Sequence, residues 1–157
     1  MFVKYYTHLE RPFDELVGSF TATDIPLNEW AIDAYRDAER LTAKIGLGGT
    51  KTPLLAKTVE FHIEDRVASA DRVSLPINWT ATGPTSLFPR MEADLIIEPL
   101  GPDLTQLTFQ GSYTPPFGAP GLLLDRWALH RVAEASVKNL VDRVANALRT
   151  IESDHAE

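Results

Sequence analysis

The stretch GLLLDRWALHRVAEASVKNLVDRVANALRTI, from Gly121 to Ile151, decides the fold. At about 100° per residue, Leu122, Leu129, Ala133, Val137, Leu140, Val144, Ala147 and Ile151 gather on one side, with Arg131, Glu134, Lys138, Asp142 and Arg149 on the other. One apolar stripe opposite one charged face is the pattern of a long helix laid across a single apolar surface. The chain before it supplies that surface as short alternating runs separated by turns. Together they predict an α+β fold, an antiparallel sheet of five to seven strands curved around the C-terminal helix, with a cavity between the two.

The runs follow in order. Val3, Tyr5, Thr7 and Leu9 alternate with Lys4, Tyr6 and His8, the period of a half-buried strand. Pro12 then opens a short helix in which Phe13, Leu16, Val17 and Phe20 share a face. A second short helix has Asp24 as its cap and Pro26 just inside, with Leu27, Trp30, Ala31, Ala34 and Ala38 on its apolar side. Residues 40–47 fit either a continuation of that helix or a strand, and the strand is preferred. After Gly48-Gly49 come Val59, Phe61 and Ile63; then Val73, Leu75, Ile77 and Trp79; then Met91, Ala93, Leu95 and Ile97. A turn at Gly101-Pro102-Asp103 leads to Leu107, Phe109, Gly111 and Tyr113. Glu60, His62, Glu64, Glu92, Asp94 and Glu98 fall on the opposite face of the strands, which should meet water.

Composition bounds the function classes. At 157 residues the chain has the size of one domain, 1–157, able to bury roughly 70% of its unfolded surface. A net charge of -7 argues against a nucleic-acid partner, whose binding depends on neutralising phosphates. With no cysteine there are no disulfides, no thiolate chemistry and no sulfur-rich metal sites. The first residues, Met1-Phe2-Val3-Lys4-Tyr5-Tyr6, have no apolar signal region, and no run of the chain is apolar enough to span a membrane. The expected compartment is the cytoplasm; the oligomeric state is left open.

The order of strand, two short helices, antiparallel strands and long final helix resembles the helix-grip fold of the START-like (SRPBCC) superfamily. The resemblance covers essentially the whole chain. It rests on Leu9-Glu10-Arg11-Pro12-Phe13 at the first strand's end, and on Tyr113-Thr114-Pro115-Pro116 leading into the helix. Trp79, Leu87-Phe88-Pro89, Gly121, Asp125-Arg126 and His130-Arg131-Val132-Ala133 are similar to bacterial members described as polyketide cyclase or dehydrase-like. The resemblance implies an internal pocket for an apolar ligand such as a lipid or polyketide. Fold-level likeness does not choose between carriers and enzymes.

A pocket of about 500 Å³ left empty would forfeit something like 12 kcal/mol at about 24 cal/mol per Å³, as much as a whole domain's stability. It must therefore hold water or ligand, or collapse. Ala133, Ser136, Ala147 and Gly111 either leave space there or let the helix sit close to the sheet. Arg126 falls in the apolar stripe, where an unpaired guanidinium would cost several kcal/mol, so it requires an anion. Its partner is a loop acid, Asp24, Asp65 or Asp71, or the head group of a ligand, with His130 one turn on. Tyr5, Thr7, Trp79 and Tyr113 are core aromatics and hydroxyls, or the wall of a ligand site. The ligand-binding set is thus Tyr5, Trp79, Phe109, Tyr113, Arg126, Leu129, His130, Ala133 and Val137. No cofactor and no metal is expected: His62 and Glu64 alone do not make a metal site, and Gly46 to Thr52 lacks the glycine a phosphate loop needs before Lys51.

Three functions remain. The first is binding or carriage of a small hydrophobic molecule, without catalysis. The second is a cyclase or dehydrase in which Tyr113 or His130 acts as acid or base and Arg126 stabilises an enolate. The third is a protein-interaction module with a filled core, presenting Phe117, Leu123, Leu124 and Trp127.

Overall fold

A computed structural model of the chain describes residues 2–20, 26–27, 29–30, 33, 58–82, 90–114 and 126–150. Within these, side chains are described except at 58–61, 80–82, 90, 114, 126–129 and 131–132. The elements are β1 (Phe2–Leu9), α1 (Phe13–Val17), β2 (Thr58–Ile63), β3 (Val67–Ser69), β4 (Arg72–Thr82), β5 (Arg90–Gly101), β6 (Leu104–Thr114) and α2 (Arg126–Thr150). All pairings are antiparallel, in the order β1-β6-β5-β4-β2, with β3 also on β4.

Strand register sorts the inward side chains into rows. Trp79, Met91 and Tyr113 form the first; Ile77, Ala93, Gly111 and Val3 the second; Leu75, Leu95, Phe109 and Tyr5 the third; Val73, Ile97, Leu107 and Thr7 the fourth. The α2 helix runs over these rows from the first toward the last. Its buried face is Val137, Leu140, Val141, Val144, Ala145 and Leu148, all at most 1% exposed. This stripe is wider and rotated from the one expected. Val141, Ala145 and Leu148 join it and Ala147 is only half-buried, because a helix on a curved sheet is covered over more than two positions per turn.

The far end of α2 is pinned. Arg11 donates to the Leu148 carbonyl at 3.0 Å, and Arg149 donates to the His8 carbonyl at 3.0 Å. Arg11's own carbonyl accepts from Thr105 at 2.8 Å. The last-turn carbonyls lack partners within the helix, and the helix dipole there favours cations. Below this end, α1 buries Phe13 and Leu16, and Leu27 adds to the same core.

Strand β3 was not expected. Its residues Val67, Ala68 and Ser69 are all exposed and carry no apolar alternation. Its cause lies in β4. Pro76 has no N–H, and its carbonyl accepts from the Glu64 N–H at 3.0 Å, so the missing donor faces the edge. There the edge strand breaks: Ile63 pairs with Ile77 but Val67 with Ser74, four steps against three. One extra residue on the edge is a β-bulge. The ambiguous segment 40–47, the Gly48-Gly49 turn, and Asp24, Ala31, Ala34 and Ala38 lie outside the described residues.

Gly111 marks a close approach between β6 and β5. A β-carbon there would stand 2.5 Å from the Ala93 Cβ and 2.8 Å from the Glu92 carbonyl oxygen. The atoms it would meet belong to the neighbouring strand β5. On the outer face His62, Glu64 and Glu92 are exposed as expected, while Ile96 and Thr108 are buried.

Candidate functional site

The small second row shapes the first. Because Ala93 and Gly111 stand low, the Trp79 ring reaches across them to within 6.2 Å of the Phe109 ring, tilted at 38°. Trp79 remains half-buried, whereas Phe109 is sealed in the core. On the other flank of the row, Tyr113 is 2% exposed and faces α2. A phenol this deep needs a partner for its hydroxyl. His130 supplies it, with Nδ1 3.1 Å from Tyr113 Oη and the rings stacked at 23°.

The contact continues outward. His130 Nε2 lies 3.2 Å from Glu134 Oε1, one helical turn on; the imidazole side chain is 34% exposed and the carboxylate 55%. In neutral His130 this network assigns the proton to Nε2, leaving Nδ1 to accept from Tyr113. A hydrogen-bonded chain thus leads from solvent at Glu134, through His130, to the phenol inside. Glu134 was read from the sequence only as part of the solvated face. The signal available was its i,i+4 spacing from His130.

The expected site residues divide into three groups. Tyr113 and His130 come together at the start of α2, and Trp79 and Ala133 pack as half-buried residues against the core. Phe109 and Val137 are fully buried beneath them. Tyr5 turns aside to the helix flank: its hydroxyl lies 3.5 Å from Asp142 Oδ1, and the Lys138 ammonium sits 5.6 Å from its ring centre. The Asp142 hydrogen bond, then the Asp142 charge and Tyr5, hold the Lys138 pKa above its usual value. Arg126 and Leu129 lie in the opening turn of α2, with their side chains outside the described residues, as are Trp127 and residues 117, 123 and 124.

Of the acids expected near Arg126, Asp65 and Asp71 lie among the described residues. Asp71 sits in the β3–β4 turn, accepting from Ser69 at 3.1 Å. That turn adjoins the row over which α2 ends, while Arg126 begins the helix over the opposite row. The strand from Val73 to Trp79 alone spans roughly 20 Å at about 3.3 Å per residue. Asp65, between β2 and β3, is exposed.

An open groove of about 420 Å³ lies on the outer face of the sheet, away from α2, between Phe2, Glu64, Asn78, Glu92, Asp94 and Ser112. Its walls are polar and apolar in about equal measure, and Glu64 is engaged by Asn78 at 2.7 Å. Among the described residues no group of three or more histidines and carboxylates is placed to hold a metal ion, and no helix is long and apolar enough to cross a membrane.

Compared with solved structures, the chain is similar to a conserved protein from Geobacillus kaustophilus, 14% identical over 94% of this chain and 95% of that one, with a TM-score of 0.52. The chain has the helix-grip fold. Similarity extends to an aromatase/cyclase from Streptomyces sp. R1128, 14% identical over 95% of this chain and 91% of that one, TM-score 0.42. It extends also to a START superfamily protein from Mycobacterium smegmatis, 14% identical over 96% and 99%, TM-score 0.40. The START-like resemblance read from the sequence holds at the level of this helix-grip fold. Compared by sequence alone, the chain matches no family model and no curated protein.

Proposed function

We propose that this chain binds and carries a small apolar molecule at the half-open end of the grip, against Trp79, Tyr113, His130 and Ala133. The observation that supports it is the change in burial along one helix. From Val137 to Leu148 every inward residue is sealed, whereas Ala133, His130 and the facing Trp79 keep accessible surface. Aromatic and small apolar walls with a few convergent polar groups are the make-up of a ligand site. Arg126, four residues before His130, is assigned to an acidic group of the ligand. Native mass spectrometry of freshly purified protein, with extraction, tests the reading. A small apolar species at near-unit stoichiometry is expected; its absence, with no thermal shift from fatty acids or aromatic ketones, contradicts it.

A second reading has its own support. The Glu134–His130–Tyr113 chain connects solvent to a buried phenol, the arrangement a general acid or base requires. On that reading the same site belongs to a cyclase or dehydrase-type enzyme, and Tyr113→Phe abolishes turnover while ligand is still bound.

A further inference from the structure

Strand β1 ends the sheet: it pairs with β6 along its whole length, and among the described residues no strand lies on its other side. The backbone groups it leaves over follow from the alternation of an antiparallel ladder, in which the N–H and C=O of one residue point the same way. The Pro76 carbonyl bonds to the Glu64 N–H, away from β5. Carried through the registers Pro76–Asp94, Asp94–Gln110 and Gln110–Lys4, this turns the backbone groups of Lys4 away from β6, and those of Phe2, Tyr6 and His8 with them. The His8 carbonyl, which accepts from Arg149, has the same phase. The side chains of Phe2, Lys4 and Tyr6 stand exposed beside this edge.

A bare strand edge accepts any strand, so its occupant is decided by what stands next to it. Above β1, Glu134, Lys138, Asp142, Asn146 and Arg149 follow at steps of four or three along one flank of α2. Tyr5, at Asp142 and Lys138, and the His8 carbonyl, at Arg149, fix that flank over the free edge. Lys138 and Asp142 are both exposed and stand beside Tyr5, at the middle of β1. A two-fold axis at Tyr5 sets each lysine against the other copy's aspartate. It also pairs β1 antiparallel with its copy, Lys4 opposite Tyr6 and Phe2 opposite His8. Of the neighbouring registers that keep the same residues on the edge, one sets Lys4 against the other copy's Lys4, a like-charge pair. The other sets Phe2 against Glu10, beyond the strand's end. We infer that β1 and this flank of α2 form a self-complementary surface on which a second copy of this chain docks, giving an isologous dimer with one sheet continuous across both. The strip is about 22 Å long from Glu134 to Arg149 at about 1.5 Å per residue. That is narrow beside the roughly 1,200–2,000 Å² of a stable interface, so the dimer is a weak one, dissociating at about 10–100 μM.

Sedimentation velocity on the whole chain, from about 1 μM to about 500 μM, brackets that range and tests the dimer. Wild type should pass from monomer to dimer across it. Lys138→Asp and Asp142→Lys each set like charges across the axis and should weaken the dimer about tenfold. Mixed one to one, these two variants should form a mixed dimer at least as readily as wild type forms its own. Tyr6→Pro removes an N–H that only the second copy uses, on the open side of an edge strand where proline is tolerated. It should leave a monomer, with circular dichroism confirming the fold, and the charge variants test the same surface without relying on it. Wild type that stays monomeric at the top of the range overturns the proposal. A dimer that persists unchanged in the charge variants, or in folded Tyr6→Pro, overturns it too, since the copies then meet on another face. A mixture that behaves only as the sum of its two variants removes the two-fold pairing and the proposal with it.

Discussion

The two halves of the grip are built from the same helix and the same four central strands, yet they differ in kind. Under Val137 to Leu148 the sheet offers Leu75, Leu95, Ile97 and Leu107, all at most 1% exposed, and the helix end is held by Arg11 and Arg149. Under His130 and Ala133 it offers Trp79, Met91 and Tyr113, and polar atoms enter the contact. The first half carries burial free energy and needs no chemistry. The second gives up part of that burial for a hydrogen-bonded path between solvent and interior. Stability and function are therefore separated along the helix axis, and substitutions in the two halves should have different signatures.

The largest stability effect should come from the sealed half. Leu148→Ala is expected to lower unfolding free energy by about 2–5 kcal/mol, because surrounding strands refill such a cavity only in part. Chemical denaturation checks it, and ligand affinity should change little if the folded population is maintained. Gly111→Ala comes next, at about 1–3 kcal/mol, since the new methyl meets the Ala93 side chain and the Glu92 carbonyl, and backbone must move. A value near zero would show that the two strands relax around the added methyl.

Tyr113→Phe is expected to cost about 1 kcal/mol in the absence of ligand, the net worth of one hydrogen bond. Its stability loss should be smaller than that of Leu148→Ala and its effect on ligand binding larger. The reverse ranking would erase the distinction between the halves. The Lys138–Asp142 pair should show the smallest effect, both side chains being exposed to solvent. A raised lysine pKa adds stability that is present below the ordinary value of 10.5 and lost as pH rises through the folded value. Lys138→Met should remove only that alkaline dependence, seen in melting temperature against pH.

Much of this division was legible in the sequence, and the parts that were not have physical reasons. Alternation over Val73 to Trp79 and Met91 to Ile97 gave the inward rows, because side-chain direction in a strand is set by period alone. The helix stripe was found but placed too narrowly: Val141 and Ala145 depend on how far the sheet curls around the helix, which no single segment encodes. The break in the edge strand opposite Pro76 was not read from the sequence, because the effect of a missing N–H on residues 64–66 appears only once the pairing partner is known. Glu134 reads as solvent-facing and is so; its second role arises because His130 turns one nitrogen outward and one inward.

The most direct test of a sealed half and a receptive half is to fill the receptive one. Ala133→Phe places a ring where the half-buried alanine meets the core beside Trp79, and native mass spectrometry compares the small molecule retained by it and by wild type, with circular dichroism confirming the fold. The account predicts that wild type retains an apolar species and that the folded variant loses it. Equal retention by both would contradict the site at the start of α2.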